Sequence, residues 1–361
     1  MKKKVFIMFG LALVCLSLFV SCNFGDSKKE PTEIQKEVNI IEIQNNITET
    51  YKRISQGCVG IYASDSLGTS SGSGVVYKED NGKYYVVTNC HVVEGKSTVR
   101  VYRGGSKYYR ATVVGKDAKN DIAVLTFSLD LLGGDPVFVN DIFSYDEEIV
   151  SVGQTVLAIG CPLGLENFNT LTTGVVSRIE KKWVQTNAEI NPGNSGGGLF
   201  NAAGRLIGIN TQKETYTTTQ DEDGTVINIP VEGLGYAISL DVVKKCILDI
   251  ESKKGDIERP LLGIVVVAVN RYISNKETVG YIQYLPNTSD QGIVISKVEK
   301  GVAQDSGVLV NDVILSINNE PATDLSDLEY ILHTSLAGET LEVTVYRPST
   351  EKELTIKIVL K

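Results

Sequence analysis

Between Asn191 and Gly198 the chain reads N-P-G-N-S-G-G-G, one serine set among four glycines. Such a stretch suits a flexible turn, a phosphate cradle, or a loop that presents a nucleophile. A phosphate loop needs G-x-x-x-x-G-K-[ST] between a strand and a helix, and here there is no lysine and no helical pattern afterwards. A turn accounts for the glycines but leaves two other polar clusters without a purpose. These are V-V-T-N-C-H-V-V, with His91 at the end of a predicted strand, and K-N-D-I-A-V-L, with Asp121 at the start of one.

The order His, Asp, Ser is that of chymotrypsin-type triads and not of the subtilisin or α/β-hydrolase types. A serine hydroxyl is a poor nucleophile at neutral pH, so a base must take its proton, and imidazole titrates in the right range. His91 is the only histidine before His333, which makes it the candidate base. Asp121 would fix the tautomer of His91 and stabilise its cation. The missing side chain at Gly193 lets the N–H groups of Gly193 and Ser195 face a developing oxyanion, and loss of one such donor costs about 2.7–4 kcal/mol. Gly196 and Gly197 allow chain to pass close behind Ser195.

Short β-rich runs must position these groups. CVGIYAS, GSGVVYK, KYYVVTN, STVRVYR, YYRATVVG, DIAVLTF, TVLAIG, LTTGVVSRI, RLIGINT and LGYAI recur between Gly57 and Ile238, mostly divided by turn residues. That is the pattern of an antiparallel barrel or sandwich. Leu240 to Ser252 then places Val242, Val243, Cys246, Ile247 and Ile250 on one helical face. S-K-K-G-D-I-E-R-P reads as a linker, and the last hundred residues mix five strands with helices near 302–306 and 324–335, a small α+β domain.

The motifs T-N-C-H-V-V, N-D-I-A-V-L, A-I-G-C-P-L-G-L, Q-T-N-A-E-I-N-P-G-N-S-G-G and G-Y-A-I resemble those of the HtrA/Deg family of serine proteases, and R-P-L-L-G-I with the final segment resembles its PDZ domain. The resemblance covers about residues 51–361. It implies a mainly β fold, a chymotrypsin-like double β-barrel at 51–252, a linker at 253–259 and a small α+β PDZ domain at 260–361. It further implies a trimer acting on misfolded proteins outside the cytoplasm, a specificity pocket with Ile190 and Asn210, and C-terminal peptides received at Leu261, Leu262, Gly263 and Ile264. His333 is expected at the surface of the last PDZ helix.

The sequence departs from the family pattern in places. Cys161 replaces a common asparagine, Asn187 and Glu189 replace aspartate and alanine, and Gly198 replaces proline or another small residue. Only Glu180 to Lys182 separates two strands where the family has a longer loop that senses the PDZ domain, which leaves that relay in doubt. Gln212 to Gly233 is longer than usual, and its Lys213 is expected in solvent. A peptide-binding chaperone or sensor with a latent protease domain is the competing reading.

M-K-K-K, an apolar run from Val5 to Val20, then Ser21 and Cys22 form a secretory signal. F-V-S-C resembles a bacterial lipobox, so residues 1–21 are read as a signal and Cys22 as lipid-modified, with an uncleaved anchor or plain secretion as alternatives. Residues 22–50 form a polar tether, either a solvated spacer or a weak amphipathic helix. The net charge of -9, with no basic block after the first four residues, excludes nucleic acid as a partner. Four cysteines remain after Cys15 and Cys22, too few for a disulfide scaffold. Lone buried thiols are preferred over a Cys58–Cys90 pair, and no metal or cofactor is expected.

Overall fold

The structure, a computed structural model, describes residues 46–361 except 106, 130–136, 146–149, 212–215, 221–225, 231–232 and 274–275. The signal, Cys22, the tether's apolar positions and Lys213 lie outside the described residues.

Six antiparallel strands close the first barrel: β1 (Cys58–Ser64), β2 (Thr69–Asp80), β3 (Lys83–Thr88), β4 (Thr98–Tyr102), β5 (Tyr108–Asp117) and β6 (Ile122–Ser128), in the order β1-β2-β3-β6-β5-β4. The second is built from β7 (Thr155–Gly160), β8 (Thr170–Ile179), β9 (Trp183–Thr186), β10 (Gly198–Asn201), β11 (Leu206–Thr211) and β14 (Gly235–Ser239), in the order β10-β11-β14-β9-β8-β7. Between β11 and β14 the long segment forms a hairpin, β12 (Tyr216–Gln220) against β13 (Val226–Pro230). Closure removes the open edges that a flat sheet would expose.

Each barrel has its own apolar filling, with Val59, Ile61, Val86 and Leu125 in the first and Val156, Leu199 and Ile207 in the second. A third core lies between them, where Val75, Val87, Leu157, Ile159, Phe200 and Ile209 meet. A helix over Leu240–Lys253 covers that core with Val242, Val243, Cys246, Ile247 and Ile250, all fully buried. Burial of each such valine or isoleucine contributes about 1.5–3 kcal/mol. The helix stops where Lys254 turns left-handed (φ 53°) and donates its N–H to Ile250 O at 2.8 Å. The four described cysteines are buried and unpaired.

The C-terminal domain is the sheet β15 (Ile264–Asn270), β16 (Gln291–Val298), β17 (Val313–Ile317), β19 (Thr340–Arg347) and β20 (Lys352–Val359), with β18 (Glu320–Pro321) paired to β17. Its main helix, Leu325–Thr334, begins at a capping box. The Asp324 carboxylate accepts from Ser326 N, and Asp327 Oδ2 accepts from Asp324 N. Among the described residues no helix is long and apolar enough to cross a membrane.

Residues 253–259, expected as a linker, are packed against the first barrel. Ile257 is buried and its N–H bonds Lys116 O at 2.7 Å. The Arg259 side chain is 1% exposed, forms ion pairs with Asp117 (2.8 Å) and Asp249 (2.9 Å), and donates through Nη1 to Ser335 O in the C-terminal domain. One guanidinium therefore faces two buried carboxylates, of which Asp249 also meets Lys245 at 2.8 Å, and ties the domains together. Replacing Arg259 by Met is expected to lower unfolding stability by about 3–5 kcal/mol, because both carboxylates lose their buried partner. Chemical denaturation checks this, and a loss below about 1 kcal/mol would contradict it.

Candidate active site

The site lies where the two barrels meet. Asp121 follows the turn after β5. Asp117 Oδ1 accepts from Asn120 N at 3.0 Å, and Asp117 Oδ2 accepts from Asn120 Nδ2 at 2.9 Å. Asp121 itself is left-handed, φ 57°, a conformation that costs about 1–2 kcal/mol for a residue with a Cβ. Five donors hold it there. Its carbonyl accepts from Cys90 N (3.1 Å) and Asn89 Nδ2 (2.9 Å). Its carboxylate accepts from His91 N (3.0 Å), His91 Nδ1 (2.9 Å) and Thr211 Oγ1 (3.1 Å).

His91 stands on the short helix Cys90–Val93. Its Nδ1 faces a carboxylate that can only accept when ionised, so the proton sits on Nδ1 and the Nε2 lone pair is available as a base. The hydrogen bond to Asp121 holds the His91 pKa above the ordinary histidine value, against a smaller opposing effect of burial.

Ser195 comes from the loop ahead of β10. Asn194 N bonds Asn191 O and Gly197 N bonds Asn194 O, both at 2.9 Å, so two tight turns flank the serine. Gly193 is left-handed (φ 100°), and a Cβ there would collide with the Cys161 carbonyl. Leu163 N donates to Pro192 O at 2.7 Å. In a trans peptide the C=O and N–H point oppositely, so the Gly193 N–H is aimed away from Leu163. Behind Ser195, a Cβ on Gly196 (φ 83°) would strike Ser73 O and Thr88, which lies just ahead of His91. The serine and histidine segments are thus in direct contact.

Sequence reasoning missed Ser73. Its N–H donates to Ser195 O (2.8 Å), its Oγ donates to Gly193 O (2.7 Å) and accepts from Cys161 N (2.9 Å), and its carbonyl accepts from Thr88 Oγ1 (2.6 Å). A residue of the first barrel therefore clamps the Ser195 loop of the second on both sides of Asn194. The signal available was its place between Gly72 and Gly74 in S-G-S-G, which marks a close approach of two chains. Thr211 was likewise missed.

Asn210, expected in the pocket, is fully buried. It takes Gly196 N and gives its own N–H to Gly197 O, and its side chain donates to Gly198 O, so it supports the loop from behind. Ile190 is half-buried and packs on the second barrel's filling beside Gly235. Among the described residues no His/Cys/Asp/Glu group is arranged to hold a metal.

In the C-terminal domain Leu261 is exposed and Leu262 buried, and Gly263 is left-handed at φ 72°. Ala303 N donates to Leu262 O and Glu299 N to Gly263 O. The carbonyls thus point inward, which turns the N–H groups of Gly263 and Ile264 outward. The strand that follows, β15, is the sheet's edge, paired only with β16. His333 was expected at the surface and is instead half-buried: its Nδ1 lies 2.7 Å from Lys182 Nζ and 2.9 Å from Asn120 Oδ1. The helix docks against the protease barrels, which removes its last turn from solvent.

Two six-stranded barrels with a histidine, an aspartate and a glycine-flanked serine at their junction define a trypsin-like serine peptidase, here joined to a peptide-binding domain. The trypsin-like peptidase domain profile matches residues 72–209, and the PDZ domain profile matches 260–358. Similar proteins include the serine protease Do-like HtrA of Lactobacillus helveticus, 37% identical over 80% of this chain and 68% of that one, and its counterpart in Lactococcus lactis subsp. cremoris, 32% identical over 92% and 88%. Among solved structures, the HtrA-type protease AlgW with tripeptide matches with a TM-score of 0.64 at 26% identity, covering 87% of this chain and 97% of that one. The chain belongs to the HtrA family of serine proteases, and it is a serine endopeptidase.

Activity should fall on acidification as His91 protonates and loses its Nε2 lone pair. Because Asp121 raises that pKa, the acid limb of kcat/KM is expected above the ordinary histidine value of about 6.5. A pH–rate profile on a short peptide checks this, and a limb below about 6 would contradict it. Ser73→Ala should cost about 1–3 kcal/mol of stability and weaken labelling of Ser195 by a fluorophosphonate. Equal labelling rates would show that the clamp does not order the loop.

Proposed function

We propose that Ser195, His91 and Asp121 form the catalytic triad and that Gly193 and Ser195 supply the oxyanion donors. Ser195 Oγ attacks the scissile carbonyl carbon while its proton passes to His91 Nε2. The carbonyl oxygen becomes an oxyanion facing the two N–H groups. On collapse His91 returns the proton to the leaving amine, and an acyl group stays on Ser195. Water, deprotonated by His91, then attacks the ester carbonyl, and as the bond to Ser195 Oγ breaks His91 returns that proton to Oγ and the acid product leaves. Asp121 keeps its charge throughout and holds the imidazole in one tautomer.

The observation that carries this reading is the bidentate approach of Asp121 to His91 Nδ1 at 2.9 and 3.0 Å, with the serine loop packed on the residues just before His91. The Leu163 bond to Pro192 O supports this reading over the latent protease, since it turns the Pro192 carbonyl, and not the Gly193 N–H, toward Leu163. Ile190 as a pocket wall suits a small or medium apolar residue before the cut. The substrates are misfolded or exported proteins met outside the cytoplasm. Their C-termini add as a strand to the free edge of β15, with the carboxylate at Leu261–Ile264. The enzyme works as a homo-oligomer, a trimer by family analogy, held to the membrane through lipidated Cys22.

Ser195→Ala is expected to cut casein turnover by about 10⁶, with the folded protein intact by thermal unfolding. A fluorophosphonate should label the wild type and not the variant. Unchanged casein cleavage in the variant would refute the assignment, and a wild type that neither cleaves nor labels would support the latent protease.

A further inference from the structure

The turn that carries Asp121 touches more than its own barrel. Asn120, fully buried, donates its Nδ2 to Asp117 Oδ2 (2.9 Å) and also to the main-chain oxygen of His333 (2.7 Å), a residue 213 positions away in the last turn of the C-terminal helix. His333 Nδ1 lies 2.9 Å from Asn120 Oδ1 and 2.7 Å from Lys182 Nζ. Lys182 belongs to the three-residue connection between β8 and β9, yet it is buried, lies over the Trp183 ring, and donates to Lys119 O (3.3 Å). Three elements therefore close on residues 117–121: the first barrel, the shortened β8–β9 turn and the C-terminal helix.

We propose that Asn120, Lys182 and His333 act as positioning residues for Asp121, so that the seated C-terminal domain completes the mount of the catalytic aspartate. This rests on the triad assignment above. Asn120 is the residue immediately before Asp121, and Asp121 is held in a left-handed conformation that its neighbours must impose. The Asn120 amide reaches both Asp117 and His333, which leaves the turn one rotamer for that side chain. Lys182 adds a second tie from the other side, to Lys119 O and His333 at once. In this chain, then, the short β8–β9 turn reaches the turn that carries Asp121 through Lys182.

The charged and titratable groups around this contact are Lys119 and Asp117 from the turn, Cys246 from the helix over the interbarrel core, Arg259 from the connecting segment and Glu329 from the C-terminal helix. Burial, with Lys182 and Lys119 adding to it, depresses the His333 pKa to about 4. The ring is therefore neutral at working pH. One Nδ1 cannot both accept from Lys182 and donate to Asn120, and at 2.7 Å the ammonium is the closer partner. Burial also lowers the Lys182 pKa to about 8, so Lys182 remains a donor at neutral pH.

The test is steady-state kinetics of the full chain with Lys182→Met and Asn120→Ala, singly and together, on a short peptide that does not engage the C-terminal domain. Misplacement of a catalytic group by 1 Å can cost about 100-fold, and a fall in kcat of roughly 10-fold is expected, with KM changed less than about 2-fold. A loosened Asp121 raises the His91 pKa less. The groups facing His91 are Asp121 and, on its own helix, Glu94. The acid limb of kcat/KM should therefore move to lower pH, which a merely structural role would not produce. The double variant should fall no further than the worse single one, because both act through one contact. Wild-type kcat with an unmoved acid limb would overturn the proposal. So would a Lys182→Met chain that fails to fold, since the lysine would then serve the fold and not the aspartate. Failure of the triad reading appears separately, as activity retained in Ser195→Ala.

Discussion

The Asp121 carboxylate takes hydrogen bonds from the ring and main chain of His91 and from Thr211 of the second barrel, while its carbonyl takes two more from the strand end that leads to His91. An acceptor with these donors around it determines where the His91 ring stands and which of its nitrogens is free. It also fixes how far apart the barrels can sit, since Thr211 ends β11 and Asp121 precedes β6. The interbarrel core supplies the bulk of the attraction between the two halves, and this carboxylate supplies the register.

On the serine side the same joining of barrels is achieved by Ser73. Its backbone and hydroxyl hold Ser195 O and Gly193 O, and so leave the loop little freedom around the nucleophile. The carbonyls of the loop are spent on protein donors from Ser73 and Leu163. With those carbonyls engaged, the proposed donors at Gly193 and Ser195 have the polarity an oxyanion requires. Preorganisation here is a matter of which peptide groups already have partners.

Much of this was legible in the sequence because it depends on local pattern. Short β-rich runs divided by turn residues marked the strands of both barrels, the apolar face of Leu240–Ser252 marked the covering helix, and the glycines around Ser195 announced the close approaches found behind it. Ser73, Thr211 and Asn210 were not legible as site residues, or not in their observed roles, because each is an ordinary strand residue whose function comes from a neighbour on another strand. Lys182 and His333 were harder still. A lysine in a three-residue turn reads as solvated, and only the docking of the C-terminal helix, more than 150 positions on, buries both. Likewise 253–259 has a linker's composition, and Arg259 becomes structural only because Asp117 and Asp249 converge on it.

The chain holds two histidines, one at the base position and one at the domain interface, so a proton NMR titration of their imidazole rings reads both ends of the account at once. One ring should titrate above about 6.5 and drop on Asp121→Asn, and the other should remain neutral until the pH approaches 4. Because that second pKa is depressed, its contribution to stability is complete above the ordinary value and is lost as the pH falls toward 4. Two rings titrating together near the ordinary histidine value would contradict both the Asp121–His91 pair and the buried seat of His333.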